Sequence, residues 1–409
     1  MRKLKMNLDK KKFFTSINEL DQWIEKNGWV GYDPYDIKEI NFVKKIIKLG
    51  NKNYIMGIMR EIIFELFYTF PNISRKLFNI KPTINAKAMA LFAKGYLDLY
   101  LSTKEKKYLD KSDFFLKWLE KNNSQVEAGI GWGYPFDWQT KVLIPKFTPN
   151  GIVTTAAGDA FWGWYQFTND QKYLEICKDI CEFLVTLPID NISNKQICFS
   201  YTPLSRNHVH NLNLFVAEYL IKIGNEIKKK EWVELGIKAV NYTILNQYAN
   251  GSFDYNGPSD KLRNFCDNYH TGFVLRMLYS IWKITDRKDV YISLKKCYYH
   301  YINIFFEDNT IPKLLPDRKY RIDIHSCAES INCLSELSEI FPEGKKIAKN
   351  VGLWTIQNLQ DKSGYFYYGF LKSRFTKKPF LSKIAYIRWG QAWMLKALTK
   401  FYLLKERKI

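Results

Sequence analysis

Apolar and polar positions along the chain follow two alternating patterns. Six stretches rich in apolar and small residues begin near residues 83, 152, 209, 268, 324 and 386, so their starts are 69, 57, 59, 56 and 62 residues apart. More polar stretches lie between them, such as KEKKYLDKSDFFLKWLEK and QKYLEICKDICEFLVTL, with apolar residues at i, i+3, i+4 and i+7. The pattern predicts a wholly buried helix followed by a half-exposed helix, repeated about every 60 residues.

Helical hairpins repeated at this spacing can close into a ring of inner and outer helices. Six inner and five outer helices follow from the pattern, and the helical residues 16–27, 36–49 and 53–68 are expected to supply the sixth outer element. We therefore predict an all-α fold, an (α/α)6 toroid at residues 81–409, with residues 1–80 as a helical N-terminal segment packed on the barrel. A helical solenoid is the competing architecture, but its repeats are usually shorter.

Turn signatures with aromatic residues separate each outer helix from the next inner helix. They read GIGWGYPFDW, CFSYTP, NGSFDY and SGYFYYGF, and they combine Gly, Ser or Asn with short aromatic alternation. We expect the loops at 129–150, 198–208, 251–267 and 363–385 to carry short β-strands and to lie on one face of the ring. Such loops would line a cleft over the ring axis.

Histidines are concentrated at the starts of the inner helices. Of five histidines in the chain, His210, His270 and His325 begin the third, fourth and fifth inner helices, and His208 lies just before the third. The starts of inner helices meet at one end of a closed ring, so these imidazoles are expected in one pocket. A single histidine at a helix start is usually structural, whereas three at equivalent repeat positions indicate a site.

Carboxylates, phenols, indoles and amides are expected at the same end of the ring. A sugar stacks its apolar face on Trp or Tyr, and its hydroxyls pair with polar side chains. The candidates for catalysis are Asp137, His210, Asp267, Tyr269, His270, His325, Tyr368 and Arg388. The candidates for substrate binding are Trp132, Tyr134, Trp138, Gln139, Tyr201, Asn211, Asn213, Asp323, Tyr367, Trp389 and Gln391. Core packing is the structural alternative for each aromatic residue, and helix capping is the alternative for Asp267 and Asp323.

Composition and motifs narrow the classes of partner. A formal net charge of +21 favours anionic partners, although a solvated lysine-rich surface has the same composition. The chain has no Walker A motif, no GxGxxG between a strand and a helix, no HExxH motif and no CxxC pair among its seven cysteines. We expect no metal, no cofactor and no nucleic acid, and the lack of an apolar signal core predicts a cytoplasmic protein.

Seven short motifs carry a resemblance to a known family. In chain order they are WGYPFDWQ, FSYTP, VHNLNL, DNYHTGFVL, IDIHS, GYFYY and IRWGQAWM. From about residue 80 to the C-terminus the chain resembles an uncharacterised bacterial and archaeal family found with surface-polysaccharide biosynthesis genes. That family is often labelled delta-aminolevulinic acid dehydratase. The label does not fit a chain with a helical repeat and scattered cysteines.

A wider resemblance is to six-hairpin glycosidases, unsaturated-glucuronyl hydrolases, polysaccharide lyases and the helical domain of glucuronyl C5-epimerases. The final inner helix, WGQAWMLKALTKFYLL, is similar to the GQ-containing last helix of the C5-epimerases. The resemblance implies an α/α toroid whose open end binds a sugar chain. We therefore expect a carbohydrate-active enzyme that acts on a surface-polysaccharide or glycan precursor.

Two kinds of sugar chemistry stay open at this point. Glycoside hydrolysis needs two carboxylates across the cleft, and Asp137 and Asp267 are the expected pair. Epimerisation or elimination of a uronic acid needs a base, an acid and a cation beside the developing negative charge. The candidates for those roles are His270, Tyr269, Tyr368, His210 and Arg388.

A non-catalytic glycan-binding or assembly protein of polysaccharide biosynthesis is the alternative to an enzyme. In either case the expected partner is an oligosaccharide or polysaccharide, and the basic charge favours an anionic one. Peripheral contact with a membrane or a lipid-linked glycan is compatible with the same charge. The sequence does not specify the oligomeric state.

Overall fold

The computed structural model describes residues 2–260 and 265–404, and most of them are helical. The α-helices are α1 (Arg2–Asn27), α2 (Asn41–Gly50), α3 (Tyr54–Thr69), α4 (Pro71–Leu77), α5 (Ala86–Thr103), α6 (Lys106–Lys121), α7 (Gly151–Thr168), α8 (Gln171–Leu184), α9 (His210–Glu226), α10 (Lys230–Leu245), α11 (Asn268–Thr285), α12 (Lys288–Ile304), α13 (Ile324–Leu337), α14 (Glu343–Leu359) and α15 (Trp393–Leu403). A 3₁₀ turn at Asp36–Glu39 precedes α2, and a π-helical segment at Ile387–Ala392 leads into α15.

The strands are short and lie between the helices. They are β1 (Ser124–Gln125), β2 (Ile130–Gly131), β3 (Trp138–Gln139), β4 (Leu143–Ile144), β5 (Ile189–Ser193), β6 (Gln196–Phe199), β7 (Phe306–Glu307), β8 (Ile311–Pro312), β9 (Ile322–Asp323), β10 (Gly369–Leu371) and β11 (Phe380–Ser382). Strands β11, β10 and β9 form an antiparallel sheet in that order, and each other strand pairs with one neighbour.

Six inner helices form a closed ring. Helices α5, α7, α9, α11, α13 and α15 each pack against the next, and α15 packs back against α5. Each inner helix has inner neighbours on two sides and an outer helix behind it, so nearly its whole circumference must be apolar. The predicted (α/α)6 toroid is therefore confirmed, and a solenoid is excluded because its ends would not meet.

The outer ring contains α6, α8, α10, α12 and α14, and the first helix takes the sixth place. Helix α1 packs against α14 and α15 and buries Phe13, Ile17 and Leu20 in the main core. The ring of Phe13 stacks on that of Phe401 with 4.4 Å between centroids. Helix α1 is therefore the outer partner of the last inner helix, α15.

Helices α2, α3 and α4 lie at the loop face, next to the β3–β4 hairpin. The Lys44 ammonium lies 2.7 Å from the Asp137 carboxylate, and the Asn51 amide donates to the backbone oxygen of Thr140 at 3.3 Å. A small separate core, formed by Ile37, Val43, Ile47 and Phe67, holds these helices together.

The N-terminal prediction is partly corrected by this arrangement. All three stretches at 16–27, 36–49 and 53–68 contain helix, but only the first belongs to the outer ring. The other two lie over the loop face, because their apolar residues pack with each other rather than with α14 and α15. The division into domains at residue 80 stays a prediction.

Asn or Asp side chains cap four of the inner helices at the loop face. Asn85, Asn150, Asp267 and Asp323 each accept a hydrogen bond from a backbone N–H of the first turn, as caps do. The loops at 129–150, 198–208 and 363–385 carry strand residues there. The loop at 251–267 lies partly outside the described residues.

Candidate active site

A cavity lies at the loop face, over the axis of the ring. Its volume is about 230 Å³, near the lower end of the range of small-molecule sites. Helices α5, α7, α9, α11 and α13, the π-helical segment before α15 and four loop segments contribute to its wall. The predicted cleft at the starts of the inner helices is therefore present.

The second residue after the cap position of every inner helix lines this cavity. These residues are Lys87, Ile152, Asn211, Tyr269, His325 and, in the π-helical segment, Arg388. Successive residues of a helix are rotated by about 100°, and the six helices enter the ring in the same way. One position of the first turn therefore faces the axis in all six.

Aromatic side chains from the loops form a wall of the cavity. Trp138 meets Tyr201 edge to face with 5.1 Å between centroids, and Tyr134 stacks on Phe136 at 5.4 Å. Trp389 contributes another indole. The predicted binding residues Tyr134, Trp138, Tyr201 and Trp389 thus share the cavity, and their faces are suited to stacking with a sugar ring.

Asp267 both caps α11 and holds the imidazole of His270. One carboxylate oxygen accepts from the backbone N–H of His270 at 2.9 Å, so the predicted cap is confirmed. The other oxygen lies 2.7 Å from His270 Nδ1. An ionised carboxylate only accepts, so Nδ1 carries a proton and Nε2 is the acceptor of a neutral imidazole. His270 lines the cavity, with 21% of its side chain exposed.

His325 is buried among aromatic rings at the cavity. It lies parallel to Tyr269 with centroids 4.6 Å apart and edge-on to Trp389 at 4.2 Å. Burial, with a smaller effect of the Lys87 charge, lowers the pKa of this imidazole well below its ordinary value. The imidazole is therefore neutral at pH 7. Neither ring nitrogen has a hydrogen-bond partner among the described residues.

Three cationic side chains line the cavity, and none of its described lining residues is a carboxylate. Lys87 is only 4% exposed, and its Nζ lies 5.5 Å and 5.3 Å from the ring centroids of Phe273 and Trp393. Burial lowers the pKa of Lys87 well below the ordinary lysine value. Burial also lowers the pKa of Lys38 to about 8. The third cation is Arg388, whose charge is paired with the Asp33 carboxylate.

Arg388 is fixed by a bidentate ion pair. Its Nε and Nη2 lie 2.6 Å and 2.8 Å from the two carboxylate oxygens of Asp33, so Nη1 remains for a ligand. Gln391, in the same π-helical segment, accepts from the backbone N–H of Phe366 and donates to its carbonyl, both at 2.8 Å. Such π-helical segments are frequent at functional sites.

Some of the buried polar atoms without partners belong to residues that line the cavity. Within the described residues they include Asn211 Oδ1, Trp389 Nε1 and both ring nitrogens of His325. Such groups are rare in folded proteins because leaving them unpaired costs about 1–3 kcal/mol each. A ligand that both donates and accepts hydrogen bonds, as hydroxyl groups do, would pair them.

A second groove adjoins the cavity. Lys38, Trp138, Tyr201 and Tyr255 line both spaces. The groove runs between α2 and α3 on one side and the loops at 138–144 and 201–209 on the other. Ligand-binding space therefore extends outwards from the cavity towards the N-terminal helices.

His210 does not line the cavity, so the prediction that three histidines share it is wrong. Its ring stacks on Tyr242 with 5.5 Å between centroids, and Nδ1 lies 3.5 Å from Thr243 Oγ1. Burial lowers its pKa to about 4. His210 is the first residue of α9, one position before the residue that faces the axis, and the helical rotation turns it towards the outer helix.

Asp137 lies outside the cavity, so it does not face Asp267 across it. Its carboxylate accepts from the Lys44 ammonium at 2.7 Å and from the backbone N–H of Lys146 at 3.0 Å. Partial burial tends to raise its pKa, but these bonds hold the pKa below the ordinary value. The predicted hydrolytic pair is corrected accordingly, because Asp137 joins the loop to α2.

Three further candidates at the sheet of β9, β10 and β11 do not line the cavity. Asp323 caps α13 through the backbone N–H of Ser326 at 2.8 Å, as its structural alternative predicted. Tyr368 accepts from Arg321 at 3.2 Å, and Tyr367 donates to Asp361. These contacts hold strands and turns together, so the predictions of direct catalytic or binding contact are corrected.

The remaining binding candidates are structural or lie in the groove. Trp132 is buried and donates through Nε1 to the backbone oxygen of Leu119 at 3.1 Å. Asn213 accepts from the backbone N–H of Phe199 at 3.0 Å, and Gln391 clamps the π-helical segment as described above. Gln139 lines the adjoining groove. The structural alternative of core packing therefore holds for Trp132, and the buried Asn213 has a structural role as a hydrogen-bond partner of the backbone.

Several lining residues were not found from the sequence. They are Tyr35, Lys38, Lys87, Phe136, Ile152, Tyr255, Phe265 and Phe273. A signal existed for Lys87, since it is a lysine at the start of the otherwise apolar stretch NAKAMALFA. None existed for Tyr35 and Lys38, because their segment carries no repeat that would place it over the ring.

Within the described residues, no helix is long and apolar enough to cross a membrane. In the same part of the chain, no group of three or more His, Cys, Asp or Glu side chains is arranged to hold a metal ion.

Several solved structures with the same architecture are named as carbohydrate-active enzymes. A family 76 glycoside hydrolase (mannosidase) from Bacteroides thetaiotaomicron has a TM-score of 0.60 at 14% identity, covering 79% of this chain and 88% of its own. A cellobiose 2-epimerase from Bacillus thermoamylovorans has a TM-score of 0.59 at 10% identity, covering 77% and 87%. An unsaturated glucuronyl hydrolase specific for heparin has a TM-score of 0.57 at 13% identity, covering 77% and 85%.

No family model and no curated protein sequence matches the chain. At such low identities the structural neighbours establish the fold alone. The chain is similar in fold to six-hairpin carbohydrate-active enzymes, with a cavity at the open end of the toroid that is lined by aromatic residues, two histidines and three cationic side chains.

Proposed function

We propose that the chain is a carbohydrate-active enzyme that abstracts the proton beside the carboxylate of a uronic sugar, as an epimerase or a lyase. The observation that carries this proposal is the composition of the cavity wall. His270, His325 and five tyrosines line it together with three cations, and its described lining residues include no carboxylate. Hydrolysis normally requires two carboxylates that flank the scissile bond, so proton abstraction is favoured.

The cations support an acidic sugar as substrate. Lys38, Lys87 and Nη1 of Arg388 border a space whose described wall has no carboxylate, while Asp33, outside that wall, pairs with the other nitrogens of Arg388. A bound carboxylate would neutralise this charge, and the guanidinium recognises carboxylates well. Trp138 and Tyr201 offer an aromatic corner for the sugar ring. Neighbours of the same fold whose names include an epimerase and a glucuronyl hydrolase lend further support to a carbohydrate substrate.

His270 is our candidate for the general base. Nε2 takes the proton from carbon 5, and the electron pair of that C–H bond moves into the adjoining carboxylate, giving an enolate-type anion. Asp267, 2.7 Å from Nδ1, stabilises the imidazolium that forms. Arg388 and Lys38 lower the energy of the anion through their positive charges.

Two outcomes follow from the same anion. If an acid on the other face of the ring returns a proton to carbon 5, that carbon is inverted and the product is an epimer. If the electron pair instead expels the substituent on carbon 4, with its bond electrons and an added proton, the product is an unsaturated sugar. Lys87 is our candidate acid, because its lowered pKa allows proton exchange nearer neutral pH.

The adjoining groove supports an oligosaccharide or polysaccharide rather than a free monosaccharide. The groove opens from the cavity at Trp138 and Tyr201, so a sugar chain can continue from the bound unit. The polysaccharide-biosynthesis setting implied by the sequence resemblance agrees with such a substrate.

Isotope exchange tests the proposal directly. The protein is incubated in D₂O with oligosaccharides that contain glucuronate or galacturonate, and carbon 5 is followed by NMR and mass spectrometry. We expect either an epimer that carries deuterium at carbon 5 or an unsaturated product with a double bond between carbons 4 and 5, in which carbon 5 has lost its hydrogen. His270→Ala should abolish formation of either product, whereas Tyr367→Phe, outside the cavity, should retain it.

Other outcomes would contradict the proposal. New reducing ends with neither deuterium at carbon 5 nor an unsaturated product would identify a hydrolase. Saturable binding of the oligosaccharide in calorimetry, with no turnover and no exchange across the panel, would identify a non-catalytic glycan-binding protein.

A further inference from the structure

Exposed apolar side chains are concentrated in the N-terminal helices. Eleven of the 26 large hydrophobic side chains that are exposed in the described part of the chain lie between residues 42 and 78. They are Phe42, Leu49, Tyr54, Ile55, Ile58, Met59, Leu66, Phe70, Ile73, Leu77 and Phe78. Single exposed apolar residues need no explanation, but a contiguous group of this size marks an interaction surface.

These side chains form a continuous surface. On α3 the exposed residues Ile55, Ile58, Met59 and Leu66 recur at helical spacing along one face. The end of that face meets α4, where Ile73 and Leu77 are 65% and 72% exposed. Phe42, Leu66, Phe70, Ile73, Leu77 and Phe78 border the same apolar groove. We call residues 42–78 with this surface the apolar face.

The opposite side of the same helices is already packed within the protein. Ile47 and Phe67 belong to the small N-terminal core, with Ile63 and Phe64 packed against it. Helix α3 is therefore apolar on two sides, and only one of them has a partner among the residues that the structure describes. A helix that is apolar around most of its circumference is normally covered on all sides by protein or lipid.

Unpaired lysines accompany the apolar face. Lys45, Lys48 and Lys52 are exposed on or just after α2, at helical spacing with Phe42 and Leu49. Lys76 and Lys81 are exposed beside α4. None of the five forms an ion pair with another described residue, and the one exposed acid of residues 41–82, Glu61, binds Arg60. Apolar residues among unpaired lysines are complementary to an anionic lipid surface.

We propose that helices α2, α3 and α4 dock on the surface of an anionic lipid bilayer through the apolar face. The apolar side chains enter the interface between headgroups and acyl chains, and the lysines contact the headgroups. Helix α3 has 16 residues, among them Arg60, Glu61 and Glu65, so it is shorter and more polar than a membrane span of about 20 residues. It lies in the interface without crossing it.

Docking would place the substrate groove beside the membrane. Ile47, Arg60 and Phe64 line that groove from the other side of the same helices, so roughly one helix diameter, about 10–12 Å, separates it from the lipid. A glycan still attached to a lipid could then reach the cavity. This last consequence rests on the function proposed above, whereas the docking does not.

Vesicle co-sedimentation tests the docking. The full-length protein is mixed with vesicles of phosphatidylcholine alone or of an equimolar mixture with phosphatidylglycerol. We expect the protein to pellet with the anionic vesicles and to pellet much less with neutral ones. Ile73→Asp with Leu77→Asp should lower the partition coefficient by about tenfold or more. Ile73→Ser with Leu77→Ser should also lower it, which separates loss of apolar contact from added charge.

A matched control adds the same charges elsewhere. Leu245 and Ile292, on α10 and α12, are 67% and 46% exposed, so Leu245→Asp with Ile292→Asp should bind vesicles like the unmodified protein. Equal binding by both aspartate variants, or no pelleting with anionic vesicles, would overturn the proposal. A dimer in light scattering that only the apolar-face variants dissociate would identify a second copy as the occupant instead. Isotope exchange with soluble oligosaccharides should survive in these variants, which separates failure of docking from failure of the proposed chemistry.

Discussion

Histidines at three similar sequence positions take different places in the ring because of their exact positions within the first helical turn. Relative to their caps, His210, His325 and His270 are the first, second and third residues of their helices. The second residue faces the axis, as do Lys87 and Asn211 in other repeats. The first is turned by about 100° towards the outer helix. The third, His270, lines the cavity because its imidazole is held by a hydrogen bond to Asp267.

Asp267 has two roles that mutation can separate, namely capping α11 and holding the imidazole of His270. His270→Ala should abolish turnover with little change in melting temperature, because the side chain is partly exposed. Asp267→Ala should cost about 1 kcal/mol of stability as a lost cap and should also slow catalysis. Thermal melting and isotope exchange of both variants check this.

Asp267→Asn separates the two parts. Asparagine caps helices as well as aspartate does, so stability should be retained, while the imidazolium of His270 loses its anionic partner. A variant with full exchange activity would show that this carboxylate serves only as a cap. If His270→Ala unfolds the protein, His270 is a structural residue.

Lys38 should make binding of an acidic substrate depend on pH. Burial lowers the Lys38 pKa to about 8, so the ammonium is present below that pH and is lost above it. The affinity for an acidic oligosaccharide should therefore fall by up to about tenfold between about pH 7 and about pH 9. Calorimetric titration measures the change.

Lys38→Arg is the matched variant for this test. A guanidinium stays protonated throughout this pH range, so the affinity should then vary little with pH. If the unmodified protein and Lys38→Arg lose affinity in parallel, another group is responsible for the pH dependence.

The π-helical segment shows how one element positions two cavity residues. Arg388 and Trp389 lie in it, and Gln391 ties it to the loop backbone at Phe366 through donor and acceptor bonds of 2.8 Å. Both bonds are buried, so removing Gln391 leaves backbone groups unpaired in the interior. The GQ pair that the sequence singles out is therefore explained by the support of the cavity wall rather than by direct contact with a sugar.

Gln391→Ala should destabilise the protein by about 2–3 kcal/mol, since two buried backbone groups of Phe366 lose their partners. Substrate affinity should fall as well, because Arg388 and Trp389 lose a fixed backbone. Urea unfolding and calorimetric titration check the two effects. Gln360→Ala is a comparison variant, since its amide also bonds backbone groups but lies away from the cavity; it should cost stability without a change in affinity.

The toroid is closed by contacts between the two ends of the chain. Phe13 of α1 is fully buried, stacks on Phe401 of α15 and lies against Gly352 of α14, where an added Cβ would be 2.4 Å from its ring. Because α1 covers the last inner helix, residues far apart in sequence depend on each other. The ring is therefore expected to unfold as one unit rather than hairpin by hairpin.

Phe13→Ala should lower the free energy of unfolding by about 3–5 kcal/mol, as expected for removal of a buried phenylalanine. The loss should appear as a single cooperative transition at lower denaturant concentration. Urea titration followed by circular dichroism and by tryptophan fluorescence measures it. Phe114→Ala is the control, because Phe114 is 44% exposed and should cost much less. Separate transitions for the two probes would contradict closure as one cooperative unit.

The amino-acid sequence alone determined the helical repeat, the closed ring, the face that carries the loops and the cap at Asp267. These properties follow from local patterns, namely the spacing of apolar residues and the chemistry of helix starts. It also placed Tyr134, Trp138, Tyr201, Tyr269, His270, His325 and Arg388 at the open end, where they line the cavity.

The tertiary structure alone decided which of these side chains reach the axis. A shift of one residue along a helix rotates a side chain by about 100°. A helix start predicted from sequence is uncertain by more than one residue, so the sequence could not tell that His210 faces the outer helix and His325 faces the axis. Asp137 lies outside the cavity, where it binds Lys44, 93 residues away in sequence. Lys38 lines the cavity although its segment lies outside the helical repeat. Such contacts depend on how distant segments meet, and no local pattern of residues records them.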